Sequence, residues 1–276
     1  MSAIKRYIVW QITSRLHKYA LVYPFVEDSK LIVSRGMKGA TGNIYAGLHE
    51  FAEMGFLLHL LRPGDLFGDI GANVGSYTIL ASAVSKSYAI SVEPVSKTFT
   101  NLKQNVAINN TGELVTLVHC GVGPKNGSLC FATSYDTGNY VVAFQDYVVE
   151  GIEKSEVYTL DSIFSKSAPL LLKIDVEGFE MSVLEGAEKI LSNSNLKAII
   201  IELSGLTKRY GAKEEDIHFR LLSFGFETVA YDPIHRIMVP LSSFNHIGNT
   251  IYIRDKEWVL SRIKSARKFS ILNQEV

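Results

Sequence analysis

Two groups of acids stand where chemistry could be done: Asp69 with Glu93, and Asp175 with Glu177. Asp69 lies in the apolar run Leu66–Ile70 and is followed at alternate positions by Gly71, Asn73 and Gly75. Glycine lets the backbone turn sharply and lets a ligand approach where a Cβ would clash. Asparagine tolerates left-handed geometry better than most residues. Glu93 closes a second apolar run, Tyr88–Val92, where an acid can accept hydrogen bonds from a ribose diol. Asp175 and Glu177 flank Val176 at the end of Leu170–Ile174, and Gly178 completes that turn. A carboxylate within reach of a hydroxyl can take its proton.

The glycine spacing bears on the ligand. A dinucleotide fingerprint needs G-x-G-x-x-G, so that a helix N-terminus meets a pyrophosphate. Here the glycines are Gly68, Gly71 and Gly75, and Asp69 brings a carboxylate into the turn. That anion repels a phosphate and favours an ammonium or sulfonium group. The pattern suits S-adenosylmethionine better than NAD. A structural reading stays open beside it, in which Asp69 and Asp175 cap turns and Glu93 is an exposed strand end.

These acids need a frame. Ile79, Leu80, Ala83 and Val84 share a helical face after the first turn, so strand, glycine turn, helix and strand open a doubly wound α/β sheet. Ser96 is placed to cap the next helix, which carries Phe99, Leu102 and Val106. Leu114–His119 is a third strand, and Gly121, Val122 and Gly123 follow where an adenine ring would border the sheet. A plain turn explains those glycines nearly as well. Leu170–Ile174 is the fourth strand, beside the first across the switch point where ligands bind. Phe179, Val183, Leu184, Ala187, Ile190 and Leu191 make the following helical face, with Glu180 in its first turn serving the dipole. Ala198–Ile201 is a fifth strand, and Glu227–Tyr231 with Thr250–Arg254 closes the sheet as an antiparallel pair. Gly127–Thr133 reads as an inserted strand, and the aromatic-bearing stretch Ser134–Glu150 as either a substrate rim or a covering flap.

The flanks are basic. Ile4, Ile8, Ile12, Leu16 and Ala20 form a stripe among Lys5, Arg6, Arg15, His17 and Lys18, with no acid in that segment. The expected use of such a helix is packing on its own domain; the alternatives are an anionic membrane surface or a partner. A hairpin is expected over Leu21–Phe25 and Leu31–Ser34, a loop over Gly36–Gly47, and a helix over Glu50–Leu61. Trp258, Val259 and Ile263 with Arg262, Lys264, Arg267 and Lys268 suggest a second basic amphipathic helix. The division is therefore 1–48 for an N-terminal helix and β-hairpin, 49–255 for the catalytic domain and 256–276 for a C-terminal basic helix.

Composition narrows the classes. The chain has 276 residues, 47% hydrophobic and 20% charged, enough for one good core of an ordinary globular kind. A formal net charge of zero argues against a nucleic-acid footprint. The two cysteines, Cys120 and Cys130, are expected to be reduced. Neither a secretory signal nor a membrane-spanning run is visible, so a cytoplasmic location is expected.

With both acid-bearing turns in view, the chain resembles the FkbM family of S-adenosylmethionine-dependent methyltransferases. The matching residues are Asp69-Ile70-Gly71-Ala72-Asn73-Val74-Gly75, Glu93-Pro94, Thr159-Leu160-Asp161 and Lys173-Ile174-Asp175-Val176-Glu177-Gly178 with Glu180. The resemblance spans about Glu50 to Glu202. It implies a class I methyltransferase fold, a seven-stranded, mostly parallel Rossmann-like sheet with one reversed strand and helices on both faces. It also implies O-methylation of hydroxyls on sugars, polyketides or related metabolites. Asp69, Gly71, Ala72, Asn73, Gly75, Ser76, Glu93, Pro94, Gly121 and Val122 are the candidate cofactor residues. Asp175 and then Glu177 are the candidate bases, with His235 and Glu202 weaker. No His/Cys cluster points to a metal. The Asn/Asp-Pro-Pro-aromatic turn that similar folds use for amino groups is absent, so by resemblance an oxygen acceptor is favoured. A nicotinamide oxidoreductase and a non-catalytic binding module, held to a membrane or to itself by the basic ends, remain the alternatives.

Overall fold

Apolar runs of four or five residues separated by helices dictate a sheet covered on both faces. The computed structural model describes residues 2–17, 19–133, 138–142, 151–272 and 274–276, and it builds that sheet. Helix α1 (Ala3–Leu16) precedes the hairpin β1 (Leu21–Pro24) and β2 (Lys30–Val33). Helices α2 (Lys38–Ala46) and α3 (Phe51–Leu60) lead into β3 (Leu66–Ile70), α4 (Ser76–Ile79) with a π-helical turn over Leu80–Val84, β4 (Tyr88–Val92), α5 (Ser96–Ile108) and β5 (Val115–Val118). An insertion follows, made of β6 (Gly121–Val122), β7 (Gly127–Ala132) and β8 (Ile152–Tyr158). Then come α6 (Leu160–Ile163), β9 (Leu171–Ile174), α7 (Glu180–Glu185), α8 (Glu188–Ser192), β10 (Ala198–Glu202), a 3₁₀ turn over Leu206–Tyr210 and α9 (Glu214–Ser223). The chain closes with β11 (Glu227–Asp232), β12 (Ile237–Pro240), β13 (Asn249–Ile253), α10 (Lys256–Lys264), β14 (Ser270–Ile271) and β15 (Gln274–Glu275).

The main sheet runs β12-β11-β13-β10-β9-β3-β4-β5. Strands β5, β4, β3, β9 and β10 are parallel, and β13 is inserted antiparallel between β10 and β11. This is the class I methyltransferase topology with eight strands where the sequence predicts seven. The extra strand, β12, pairs with the outer edge of β11 and ends in Pro240. It is a short apolar run, Ile237-Met238-Val239, that stays mostly exposed, and a proline is tolerated on an edge. The inserted sheet β6-β8-β7 stands apart from the main one.

Alternation along the strands fills two layers. Phe67 and Leu171 pack with α3, α10 and the N-terminal hairpin, whereas Ile70, Leu172 and Ile174 pack with α7, α8 and α9. Val259, Ile263, Phe269 and Ile271 join the first layer, so the basic C-terminal helix is docked. Arg262 of this helix pairs with Asp65, and Arg267 just beyond it pairs with Glu27.

Several expectations are corrected. Gly36–Gly47 contains helix α2 instead of a loop. Its glycines and threonine are poor helix formers, but Ala40 and Ile44 lie four apart and are buried, so tertiary packing overrides propensity. Ser96 is the first residue of α5, not its cap; its N–H and hydroxyl donate to the Glu153 carboxylate. The stripe Ile4, Ile8, Ile12 and Leu16 does not pack on the domain. Trp10 and Ser14, on the other face of α1, are buried in its place. Leaving such a stripe in water forgoes about 1.5–3 kcal/mol of burial per side chain. Cys120 is buried, Cys130 is exposed, and both are free. Among the described residues, no helix is long and apolar enough to cross a membrane.

Candidate active site

Three parallel strands end together at one place, and register decides what meets there. Asp69 on β3 lies opposite Ser91 on β4 and Lys173 on β9. Beyond Ile70 the backbone crosses between the two neighbours: Gly71 and Ala72 donate to the Val92 carbonyl, and Asp175 donates to the Ile70 carbonyl at 3.0 Å. Gly71 has a φ of +77°, and a Cβ there would stand 1.8 Å from the Asp175 carbonyl oxygen. Asn73 is left-handed at φ 51°, and its side-chain oxygen accepts from the Val74 N–H. The turn ends at Gly75, whose carbonyl accepts the first helical bond from Ile79.

The result is a cavity of about 630 Å3 lined by both predicted acid groups. Asp69, Gly71, Ala72, Asn73, Ser76, Glu93, Pro94, Gly121, Val122, Asp175 and Glu177 all border it. Gly75 does not; its missing Cβ makes room for Leu102. Glu93 is buried, and its two oxygens accept from the N–H groups of Asn73 at 3.0 Å and Val95 at 3.1 Å. Each oxygen keeps a lone pair for a ligand. Asp69 accepts from the Thr78 hydroxyl at 2.6 Å, which also contacts Ser91, so it ties strand to helix while bordering the cavity. Ser76 is engaged by α2, through Asn43 at 3.1 Å and the Gly39 carbonyl. Gly121 is small for the Phe131 ring, which a Cβ would meet at 2.5 Å, and Gly123 lies outside the cavity wall. Packing against Phe131 thus requires a glycine at 121, and Gly121 borders the cavity as well.

The second acid group is more closely knit than its sequence suggests. Lys173, fully enclosed in β9, donates to Asp175 at 2.9 Å and lies over the Tyr77 ring. Burial alone would lower its pKa, but Asp175 and Glu50 raise it, so it stays an ammonium. Burial would likewise raise Asp175, but Lys173 and a hydrogen bond with Glu202 hold it below the usual carboxylate range. Burial and the Asp175 charge push Glu202 up to about 9. In this pair a proton is therefore favoured on Glu202 over Asp175. Burial, Asp175 and Glu180 raise Glu177 to about 7. Glu177 is left-handed at φ 53° and is followed by Gly178 at φ 97°. Glu180 is buried and accepts from the Gly178 and Val176 N–H groups, so it braces this turn rather than serving only a helix dipole. One oxygen each from Asp175, Glu177 and Glu202 lies within 4.8 Å of the others, an all-oxygen set of the kind hard cations accept.

Some functional neighbours carry no signal in the sequence. Glu50 accepts from the Tyr77 hydroxyl at 2.6 Å and, with α2, lines the cavity. Lys173 does carry one, a charge inside the apolar run Leu170–Ile174, because a lysine is buried in a strand only when paired. His235, expected as a weaker base, is exposed on the β11–β12 turn against Asp232 at 2.6 Å, away from the cavity. Of the expected rim Ser134–Glu150, Asn139, Tyr140 and Val141 border the cavity, whereas Tyr135, Phe144 and Tyr147 lie outside the described residues.

The buried acids predict a pH dependence. Burial raises Asp69 to about 6 and Glu93 and Glu180 to about 7. The folded chain therefore holds these protons more tightly than the unfolded one. That stability is present in full below the ordinary carboxylate pKa and is lost as pH rises through about 7. His59, lowered to about 4 by burial, acts in the opposite sense only below its ordinary value of 6.5. The thermal midpoint of the ligand-free protein is expected to fall as pH rises from about 5 to about 7.5, and to fall less in Glu93→Gln.

Residues 69–228, more than half of the chain, match the family model described as the methyltransferase FkbM domain. The chain is similar to the hexuronic acid methyltransferase AglP of Haloferax volcanii, 26% identical over 150 residues that cover 53% of this chain and 59% of that relative. The match thus spans less than two thirds of that relative's length. Among solved structures it is similar to M. jannaschii TYW2 in complex with AdoMet, 12% identical, covering 86% of this chain and 88% of that one at a TM-score of 0.46. It is also similar to the precorrin 8W decarboxylase of Methanobacterium thermoautotrophicum, 13% identical, covering 74% and 89% at a TM-score of 0.43.

Proposed function

The chain belongs to the FkbM methyltransferase family, and on that premise we propose that it methylates a hydroxyl oxygen of a sugar or glycan, with S-adenosylmethionine as donor. The residues present fit that donor. The turn after β3 is walled by carboxylates, Asp69, Glu93 and Asp175, which suit a ligand bearing an ammonium and a sulfonium. Glu93, held by two backbone N–H groups, has acceptor capacity left for a diol. Cys120, Val122 and Phe131 give the apolar wall a base needs. When bound, S-adenosylmethionine supplies an electrophilic methyl group.

The single observation that carries the reading is that Glu93 and the Asp175–Glu177–Glu202 group face one cavity, joined by the Gly71 crossing. On this reading the donor side and a proton acceptor stand at the ends of β4 and β9, on either side of β3. Holding two reactants aligned can lower a barrier by about 7–11 kcal/mol. Glu177 takes the proton of the acceptor hydroxyl, because its carboxyl titrates near neutrality. Asp175, kept ionised by Lys173, accepts from a neighbouring hydroxyl of the same sugar and so orients the acceptor. The hexuronic acid relative makes an acidic sugar one acceptor to test.

Incubation with S-adenosylmethionine and a panel of neutral and acidic sugars, read as S-adenosylhomocysteine release and located by mass spectrometry, tests the reaction. Release without an added O-methyl group, or selective binding of NAD in calorimetry, would remove it. Glu93→Gln keeps the shape and loses the charge. Its affinity for S-adenosylmethionine is expected to fall roughly ten- to a hundredfold, the worth of one charge-assisted hydrogen bond, measured by titration calorimetry.

A further inference from the structure

We propose that α1 docks the protein on an anionic phospholipid surface. Along its outward face Ile4, Ile8, Val9, Ile12 and Leu16 are 72, 49, 46, 56 and 75% exposed. The opposite face holds the helix to the protein: Trp10 packs on Tyr23, the Tyr7 ring meets Tyr45 edge-on, and Arg6 donates to the Tyr45 carbonyl. The apolar face is therefore presented by a helix that is itself anchored. Residues Ser2 to Val26 contain no acid and include Lys5, Arg6, Arg15 and Lys18. Lys5 and Arg15 are exposed on α1, where long stems can lie along apolar surface with the charge at headgroup level.

Charge selects the occupant. A second copy seated on the same face would bring Lys5 and Arg15 against their own kind, with no acid on that face to pair them. An anionic bilayer offers the complement to both features, acyl chains for the isoleucines and phosphates for the cations. The helix is too short and too charged to cross, so it lies in the interface. Helix α2, against which α1 packs, carries Gly39, Thr41 and Tyr45 of the cavity wall, so α1 and α2 are the layers between a docked bilayer and the site.

Co-sedimentation of the full chain with phosphatidylcholine vesicles, alone or mixed equally with phosphatidylglycerol, tests the proposal. Binding to the anionic vesicles is expected to be roughly tenfold or more tighter and to weaken with added salt. Ile8→Glu/Ile12→Glu is expected to abolish it with an unchanged thermal midpoint, since both side chains are exposed. Equal or undetectable binding to the two vesicle types overturns the proposal, as does a double variant that binds like the wild type. A wild-type dimer in light scattering that the double variant converts to monomer also overturns it, because the face is then a contact between copies.

Discussion

Gly71→Val is expected to abolish S-adenosylmethionine binding, and Gly71→Ala to come close to it. The reason is the crossing of two strand ends. The first side-chain carbon at position 71 would lie 1.8 Å from the Asp175 carbonyl oxygen, inside any van der Waals contact. That oxygen belongs to the backbone just past β9, not to a side chain that can swing away. Relief requires β3 and β9 to part, which breaks the bond from the Asp175 N–H to Ile70 and moves Glu93 and Asp175 relative to each other. The residue also adopts a φ of +77°, a conformation that costs a side chain about 1–2 kcal/mol. Gly64 separates the two causes. It has a φ of +90°, and a Cβ added there would meet nothing within 4 Å. Gly64→Ala is therefore expected to lose about 1–2 kcal/mol of stability and to bind the donor normally. Calorimetry and thermal unfolding of both variants check this. Binding by Gly71→Ala within about threefold of the wild type would mean that the crossing does not hold the donor site together.

The parts of this molecule that are legible in the sequence are those with strong local constraints. Strand β3 runs from Leu66 to Ile70 and β4 from Tyr88 to Val92, the bounds their apolar runs predict, because those runs end abruptly at glycine or acid. The order of β3, β4 and β9 around the switch point follows from parallel connection rules. What is not legible depends on contacts distant in sequence. Helix α2 forms in a glycine-bearing stretch because Ala40 and Ile44 find a surface, and Gly42 is required where a Cβ would strike His49. The outward direction of the α1 stripe is hidden too. A period of four identifies a face but not its neighbour, and Trp10 takes the buried side. At the site, residue types are visible and charge states are not. Nothing local indicates that a proton is favoured on Glu202 over Asp175, or that Lys173 keeps Asp175 ionised.

That preference changes which acid is the best base. Asp175 is the first candidate by position, but an ion-paired carboxylate with a lowered pKa is a weak proton acceptor. Glu202, raised to about 9, is already protonated at neutral pH. Glu177, at about 7, is matched to the task. Its left-handed backbone is of the kind that costs about 1–3 kcal/mol unless its surroundings impose it. Here Glu180 imposes it from beneath, by binding the N–H groups of Val176 and Gly178. Glu177→Gln is accordingly expected to lower kcat by about 10²–10⁴ and to leave donor affinity unchanged. The wild-type rate should climb with pH and level off above about 7, since the ionised form is the active one. The variant should lack that limb. Asp175→Asn should behave differently. Removing its charge removes a main cause of the high Glu202 pKa, so Glu202 ionises and takes over the pairing with Lys173. Its turnover should fall less than that of Glu177→Gln, and its acid limb should persist. If Glu177→Gln keeps the limb and Asp175→Asn loses it, the base is Asp175, and the charge on Lys173 must be released before each proton is taken.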